Sequence, residues 1–209
     1  MLLPRFYPIL DTGLLRRRGL SPIETARQIL DAGARILQLR HKEFFSAQAL
    51  DEAGRIAELC RAAGAVFVVN DRADIAALLN AGLHLGQEDL APSVARLVLK
   101  TGAIGFSTHN AAQLRAAGAE RADYLAIGPV FATASKVNPD PVLGLDELRQ
   151  LRALTDGPLV AIGGITRANA AEVIAAGADS VAVISDLYPE DSNIGARITE
   201  WLSIVSTLR

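Results

Sequence analysis

The chain has 209 residues, enough for one domain with a sizeable core, and its single cysteine, Cys60, excludes an internal disulfide framework and a CxxC metal site. Half of the residues are hydrophobic, yet no apolar run is long enough to span a membrane, and the N-terminal stretch lacks the pattern of a signal peptide. A net charge of −2 and an aromatic content of 5% argue against nucleic-acid binding. These features predict a cytoplasmic protein with a single domain over residues 1–209.

A short pattern recurs along the chain, in which an Ala-rich segment reaches a glycine and an apolar run follows. Gly adopts at low cost the positive φ that a helix C terminus often requires. Short, nearly continuous apolar runs are typical of strands buried on both faces of a parallel sheet. The pattern therefore predicts repeated helix–strand units, with helices ending at Gly33, Gly64, Gly82, Gly102 and Gly177.

The predicted elements alternate from one end of the chain to the other. Ser21 and Pro22 form a helix start, and residues 46–64 place Ile56 and Cys60 on one helical face. Eight strands alternating with helices predict an α/β fold, a single (β/α)₈ TIM barrel. The alternative, an open doubly wound sheet, would have fewer strands. The predicted strands lie near residues 7–10, 35–40, 65–69, 83–86, 103–106, 123–128, 159–162 and 180–184.

Polar residues follow the predicted strands, where a barrel of this kind carries its chemistry. Gln38, Arg40 and Lys42 alternate at the end of strand two, so their side chains are expected on one side. Cations and hydroxyl groups of this kind select phosphate oxygens. The other candidate residues at strand ends are Asn70 and Asp71, Gln87 and Asp89, Ser107, Thr133 with Ser135 and Lys136, Gly163 and Gly164, and Ile184 with Ser185.

Asp71 and Asp89 predict a metal site. They end consecutive strands, and neighbouring strands lie about 4.8 Å apart, so both carboxylates can reach one ion. Mg²⁺ typically takes one or two carboxylates together with substrate phosphate and water. Asp71 alone could instead be a helix cap, but the pair beside Arg40 and Lys42 favours the metal.

The turn at Gly163 and Gly164 predicts a phosphate site, because glycines let backbone N–H groups approach a phosphate and the last two loops of such barrels often bind one. A tight turn without a ligand is the alternative. We assign no catalytic role to the histidines and expect them to be structural: His41 should point away from the Arg40 side, His84 lies inside a strand, and His109 has no evident carboxylate partner.

Six stretches in this order, QLRHK, NDRADIA, HLGQED, STH, DYLAIGPVFATASK and AIGGI, resemble the thiamine-phosphate synthase family over residues 7–185. The resemblance implies a Mg²⁺-dependent transferase that joins hydroxymethylpyrimidine diphosphate to hydroxyethylthiazole phosphate and releases diphosphate. It also implies a dissociative mechanism, in which diphosphate leaves before the thiazole nitrogen attacks a pyrimidine methyl cation. Its partners would be these small molecules, without nucleic acid or membrane; a homo-oligomer is compatible with the sequence, which does not fix the oligomeric state.

The resemblance also implies roles for individual residues. Asp71 and Asp89 would bind Mg²⁺, and the catalytic residues would be Arg40, Lys42, Ser107 and Lys136. Arg40, Lys42, Asn70 and Lys136 would hold the diphosphate, Gln38 and Ser107 would lie near the pyrimidine, and Thr133, Ser135, Gly163 or Gly164, Ile184 and Ser185 would frame the thiazole phosphate. The predicted substrate-binding set is Gln38, Leu39, Arg40, His41, Lys42, Asn70, Ser107, Thr133, Ala134, Ser135, Lys136, Gly163, Gly164, Ile184 and Ser185.

Two further expectations concern loops. The long segment between Gly128 and Gly144 predicts a closing lid. Asp186 stands where the family commonly has a small neutral residue, and we expect its side chain to turn away from the thiazole phosphate. The alternative functions are a thiazole tautomerase of the same superfamily and a non-catalytic relative that binds a phosphate ligand, neither of which needs a metal diphosphate site.

Overall fold

The computed structural model describes residues 3–133, 140–188 and 193–208, and in this part of the chain eight parallel strands form a closed barrel. Each strand pairs with its neighbours in sequence, and β8 closes the barrel on β1. The predicted barrel is confirmed, and every predicted strand overlaps an observed one. The strands are β1 Phe6–Asp11, β2 Ile36–Arg40, β3 Val66–Asn70, β4 Gly82–Leu85, β5 Ile104–Thr108, β6 Tyr124–Ile127, β7 Leu159–Ile162 and β8 Ser180–Val183.

Helices connect the strands, and their starts follow from local side-chain chemistry. The hydroxyl groups of Ser21 and Ser46 accept hydrogen bonds from the amides of Glu24 and Ala49, which cap α2 and α3. A short 3₁₀ helix, Ser185–Leu187, follows β8. The α-helices are α1 Thr12–Arg17, α2 Pro22–Asp31, α3 Ala47–Ala62, α4 Ala73–Leu79, α5 Pro92–Ala95, α6 Ala111–Ala117, α7 Gly144–Arg152, α8 Ala170–Ala175 and α9 Ile194–Thr207.

Two of the five predicted helix-ending glycines are wrong. Gly82 is the first residue of β4, and α4 ends instead at Asn80, whose φ is 51°. Asn tolerates this left-handed conformation better than other side chains because its short amide can form local hydrogen bonds. Gly102 has a positive φ but ends no helix, because α5 already ends at Ala95. Gly33, Gly64 and Gly177 follow helices with positive φ, as predicted.

The barrel wall separates two apolar clusters. The outward-facing strand residues, such as Leu37 and Val69, pack with the helices in an outer cluster that also contains Cys60 and Trp201. The inward-facing residues form a smaller inner cluster, consisting of Leu3, Tyr7, Ile9, Ile36, Val68, Tyr124, Ala126, Val160 and Ala182. Because apolar side chains cover both faces of the barrel wall, the polar groups lie at the carboxyl ends of the strands. No helix in the described residues is long and apolar enough to cross a membrane.

Candidate active site

The carboxyl ends of the strands form the mouth of the barrel, and its two sides differ in chemistry. The ends of β2, β3 and β4 carry charged side chains, and we call this side the charged half. The ends of β6, β7 and β8 carry glycines and hydroxyl groups, and we call it the glycine half. The charged half contains Arg40, Lys42, Asn70, Asp71 and Asp89, and the glycine half contains Thr133, Gly163, Gly164, Ile184 and Ser185.

Asp71 and Asp89 come together in the charged half, as predicted from their spacing. Asp71 has a φ of 64°, and its amide donates to the carbonyl of His84 at 2.8 Å. A left-handed backbone is strained for Asp, and such strain collects at functional sites. Asp89 is held from the other side, because its Oδ2 accepts from the amide of Gly86 at 2.7 Å.

The electrostatics of this pair suit a cation. Burial and the neighbouring Asp71 carboxylate raise the pKa of Asp89, although the Gly86 amide and Lys42 act in the opposite direction. Lys42 Nζ lies 2.5 Å from Asp71 Oδ2. Two close carboxylates facing one half-exposed lysine keep a surplus of negative charge, which a hard dication would relieve.

Asp71 and Asp89 are the pair of acidic donors that the charged half offers to a metal. Among residues 3–133, 140–188 and 193–208, no cluster of three or more His, Cys, Asp or Glu side chains could hold a metal by itself. The charged half therefore fits Mg²⁺, which completes its shell with water and substrate phosphate, better than a metal that needs an all-protein cage.

Asp11, at the end of β1, is a site residue that the sequence reasoning missed. Its Oδ1 accepts from the amide of Leu14 at 2.8 Å and caps α1, while its Oδ2 pairs with Arg40. The carboxylate thus fixes the guanidinium at the edge of the mouth. In the sequence, Asp11 is an acidic residue between a buried strand and a helical segment. The same pattern also fits an ordinary helix cap, so it does not by itself indicate a site residue.

Asn70 has an unused donor at the mouth. Its side chain is 7% exposed, and its Nδ2 is one of two buried side-chain nitrogen or oxygen atoms in the described part of the chain without a hydrogen-bond partner. Leaving such a group unpaired costs about 1–3 kcal/mol, so a ligand oxygen that accepts from it would be favoured. This observation agrees with the predicted diphosphate contact.

Two predicted substrate-binding side chains have other partners in the structure. Leu39 packs in the outer cluster, because alternate residues of a strand face opposite sides. The Nδ1 of His41 lies 2.9 Å from Thr12 Oγ1, and its ring packs against Phe45 at 5.1 Å between centroids. The predicted substrate contacts of Leu39 and His41 stay predictions.

The glycine half is shaped by close packing. A Cβ added to Gly163 would lie 2.5 Å from Pro129, and one added to Gly164 would lie 2.5 Å from the carbonyl oxygen of Ala132. The loop after β6 is bonded to this turn through the Phe131 amide, which donates to the Gly163 carbonyl at 3.0 Å. These contacts alone require the glycines, so the tight-turn alternative explains them equally well.

The strand-eight end leaves Ser185 exposed while Asp186 turns toward α9. The Asp186 carboxylate accepts from Trp201 Nε1 at 3.0 Å and from Arg167 Nε at 3.1 Å. This orientation agrees with the expectation that Asp186 turns away from a phosphate near Ser185. Arg167 neutralises it at the same time.

A chain of hydrogen bonds crosses the barrel interior beneath the mouth. Gln38 Nε2 donates to Tyr7 Oη at 3.0 Å, and Tyr7 Oη lies 2.8 Å from Tyr124 Oη. Tyr124 Oη lies 3.0 Å from His84 Nδ1, and His84 Nε2 lies 2.9 Å from Ser107 Oγ. The predicted pyrimidine-binding residues Gln38 and Ser107 are thus the two ends of one network.

The histidines differ from one another in their surroundings. Burial lowers the pKa of His84 to about 4, although the Asp89 carboxylate opposes this shift, so its ring is neutral at pH 7. His109 has a carboxylate neighbour after all, with Nε2 3.5 Å from Asp140 Oδ2, which corrects the expectation that it has none.

Part of the predicted site lies outside the described residues. Ala134, Ser135 and Lys136 fall in the gap between residues 133 and 140, which is also the middle of the proposed lid. Thr133 is described and partly buried at the edge of the glycine half.

Comparisons with known proteins agree with this arrangement. A family model described as "Thiamine monophosphate synthase" matches residues 6–187. The chain belongs to this family. The recognition from six sequence stretches is therefore confirmed, together with the assignment as a transferase of thiamine biosynthesis.

Similar proteins align over nearly the full length. A thiamine-phosphate synthase from Koribacter versatilis is 46% identical, and the alignment covers 97% of this chain and 96% of the relative. One from Moorella thermoacetica is 50% identical, with 80% of each chain covered. The solved thiamine phosphate pyrophosphorylase from Pyrococcus furiosus superposes with a TM-score of 0.86 at 32% identity, covering 97% of this chain and 95% of that one.

Proposed function

We propose that this thiamine-phosphate synthase family member couples hydroxymethylpyrimidine diphosphate to hydroxyethylthiazole phosphate with Mg²⁺ and releases diphosphate. The observation that carries this proposal is the close Asp71–Asp89 pair facing Lys42, with Arg40 and the unpaired amide of Asn70 at the same side of the mouth. A binding protein or a tautomerase would have no need for this charged half.

The charged half supplies groups for a leaving diphosphate. Arg40 and Lys42 are held by Asp11 and Asp71 in the structure, and both would offer their positive charge to substrate oxygens. Asn70 would donate its free N–H to the same group. Asp71 and Asp89 would hold Mg²⁺, which when bound neutralises charge that accumulates on diphosphate as the C–O bond breaks.

The chemistry needs no strong base. The pyrimidine methyl cation left by diphosphate would be captured by the thiazole nitrogen, so the chain has only to hold the second substrate close and exclude water. The glycine half would place the thiazole phosphate at Gly163, Gly164, Ile184 and Ser185. By the family resemblance, Thr133 and Ser135 would contact the thiazole phosphate and Lys136 the diphosphate.

The reaction also suggests a setting for the protein. Both substrates are small charged molecules, and no nucleic-acid or membrane partner is needed. The single cysteine lies buried in the outer cluster. We place the enzyme in the cytoplasm.

A coupling assay tests the proposal directly. Purified protein would be incubated with both substrates in Mg²⁺ and, separately, in EDTA, and thiamine phosphate and diphosphate would be quantified. We expect both products to form at equal rates and only with the metal. Metal-independent isomerisation of the thiazole substrate without coupling would show the tautomerase instead, and binding without turnover would show the non-catalytic relative.

A further inference from the structure

The hydrogen-bond chain inside the barrel has a direction that can be deduced by counting protons. Gln38 Nε2 donates to Tyr7 Oη, so the single proton of Tyr7 is available for Tyr124 Oη. If Tyr124 donated to Tyr7 instead, the Tyr7 proton would lack an acceptor among these contacts in the middle of the core, at a cost of about 1–3 kcal/mol.

The same count fixes the histidine tautomer. Tyr124 accepts from Tyr7, so it donates its own proton to His84 Nδ1 at 3.0 Å. The proton of the imidazole then lies on Nε2, which donates to Ser107 Oγ at 2.9 Å. Since Ser107 Oγ accepts this bond, its own proton can be donated to another group.

We propose that His84 is a positioning residue for the coupling reaction, held as the Nε2–H tautomer by Tyr124 so that Ser107 acts as a hydrogen-bond donor toward the pyrimidine diphosphate. This inference rests on the proposed function and assigns to His84 more than the structural role expected from the sequence. Ser107 would touch the substrate, and His84 and Tyr124 would act through it.

The barrel is built to bring these rings together. Gly105 on β5 lies between the two ring-bearing residues, because it pairs with His84 on β4 and with Tyr124 on β6. A Cβ on Gly105 would lie 2.0 Å from the Tyr124 ring, and the His84 and Tyr124 rings stack across this gap with centroids 5.6 Å apart. The glycine is thus required for the contact that fixes the tautomer.

The tautomer of His84 can be measured without any activity assay. Long-range ¹H–¹⁵N correlation spectra of the wild-type protein are expected to show one neutral imidazole with its proton on Nε2, assigned by comparison with His84→Gln. In Tyr124→Phe, which keeps the ring and removes the hydroxyl group, we expect a mixture of both tautomers. A wild-type His84 protonated on Nδ1 would reverse the hydrogen-bond chain and overturn the proposal.

Kinetics test the consequence for catalysis. Tyr124→Phe should lower kcat about tenfold with little change in KM, since a misdirected donor is lost mainly from the transition state. Adding Tyr124→Phe to Ser107→Ala should cause no further loss, because both changes remove the same donor. Additive losses would overturn the proposal in favour of a purely structural role for the ring.

The matched control is Ser180→Ala, which removes a buried hydroxyl group that donates to the Pro4 carbonyl at 2.6 Å, at the opposite end of the barrel from the mouth; its kcat should equal that of the wild type. If Tyr124→Phe does not fold, the wild-type tautomer still tests the direction of the hydrogen-bond chain, and a wild-type kcat for Ser107→Ala would overturn the proposed donor. A wild-type protein with the Nε2–H tautomer but without coupling activity would refute the proposed function and leave the network intact.

Discussion

The two halves of the barrel mouth would both bind phosphate groups, yet they are built on different principles. The charged half gathers Arg40, Lys42, Asp71 and Asp89, whose charges compensate only in part. In the glycine half, positive-φ glycines pack directly against the loop after β6, so the backbone conformation rather than charge defines this side of the mouth. The comparison suggests that the half where a bond breaks uses charge, and the half that only holds a ligand uses backbone.

The largest effect should follow from removing a carboxylate of the charged half. Asp71→Ala or Asp89→Ala should lower the coupling rate by about 10²- to 10³-fold, because neither variant can hold the metal against the leaving group. Circular dichroism should show an unchanged fold. Turnover like that of the wild type at saturating Mg²⁺ would remove the metal assignment.

Lys136 tests whether the charged half acts alone. This residue lies outside the described part of the chain, and its predicted role comes from the motif after β6. Lys136→Ala should lower kcat about 10²-fold and leave KM nearly unchanged, as expected for a cation that neutralises the departing diphosphate. A rise in KM with kcat intact would place Lys136 in substrate binding only.

The glycine half should respond in stability and substrate binding rather than in chemistry. Gly164→Ala forces a side chain into a φ of 63° and brings Cβ to 2.5 Å from the Ala132 carbonyl oxygen. We expect the free energy of unfolding to fall by about 1–3 kcal/mol and the KM for the thiazole phosphate to rise.

Gly195→Ala is the matched control, because it lies in α9 and a Cβ there meets no atom within 4 Å. Denaturant titration should show no loss of stability for it. If Gly164→Ala loses stability and keeps the wild-type KM, the glycine turn is structural and binds no phosphate.

The barrel could be predicted from the sequence because apolar runs and helix-ending residues recur from one helix–strand unit to the next. The Asp71–Asp89 pair could be predicted because the two residues end adjacent strands. It was insufficient where a residue's role depends on a distant partner. Asp11 holds Arg40 across 29 positions, and His84 meets Tyr124 across 40. The QLRHK motif alone does not separate Leu39 and His41 from the residues beside them, although strand alternation turns Leu39 outward.

The smallest effect should expose the electrostatic cost of the charged half without its metal. The pKa of Asp89 is raised in the folded protein by burial and by Asp71, so the folded state binds more protons than the unfolded state between the two pKa values. The ionised carboxylate is therefore destabilising above this window, and the penalty disappears as the pH falls. Asp89→Asn keeps an oxygen for the Gly86 amide and should raise the free energy of unfolding of the metal-free protein at pH 7, by an amount that solvent screening keeps small at this partly exposed site. Urea titrations in EDTA should show that this gain in stability vanishes at acidic pH. Added Mg²⁺ should stabilise only the wild type. A variant less stable than the wild type at pH 7 would mean that Asp89 stabilises the fold without the metal.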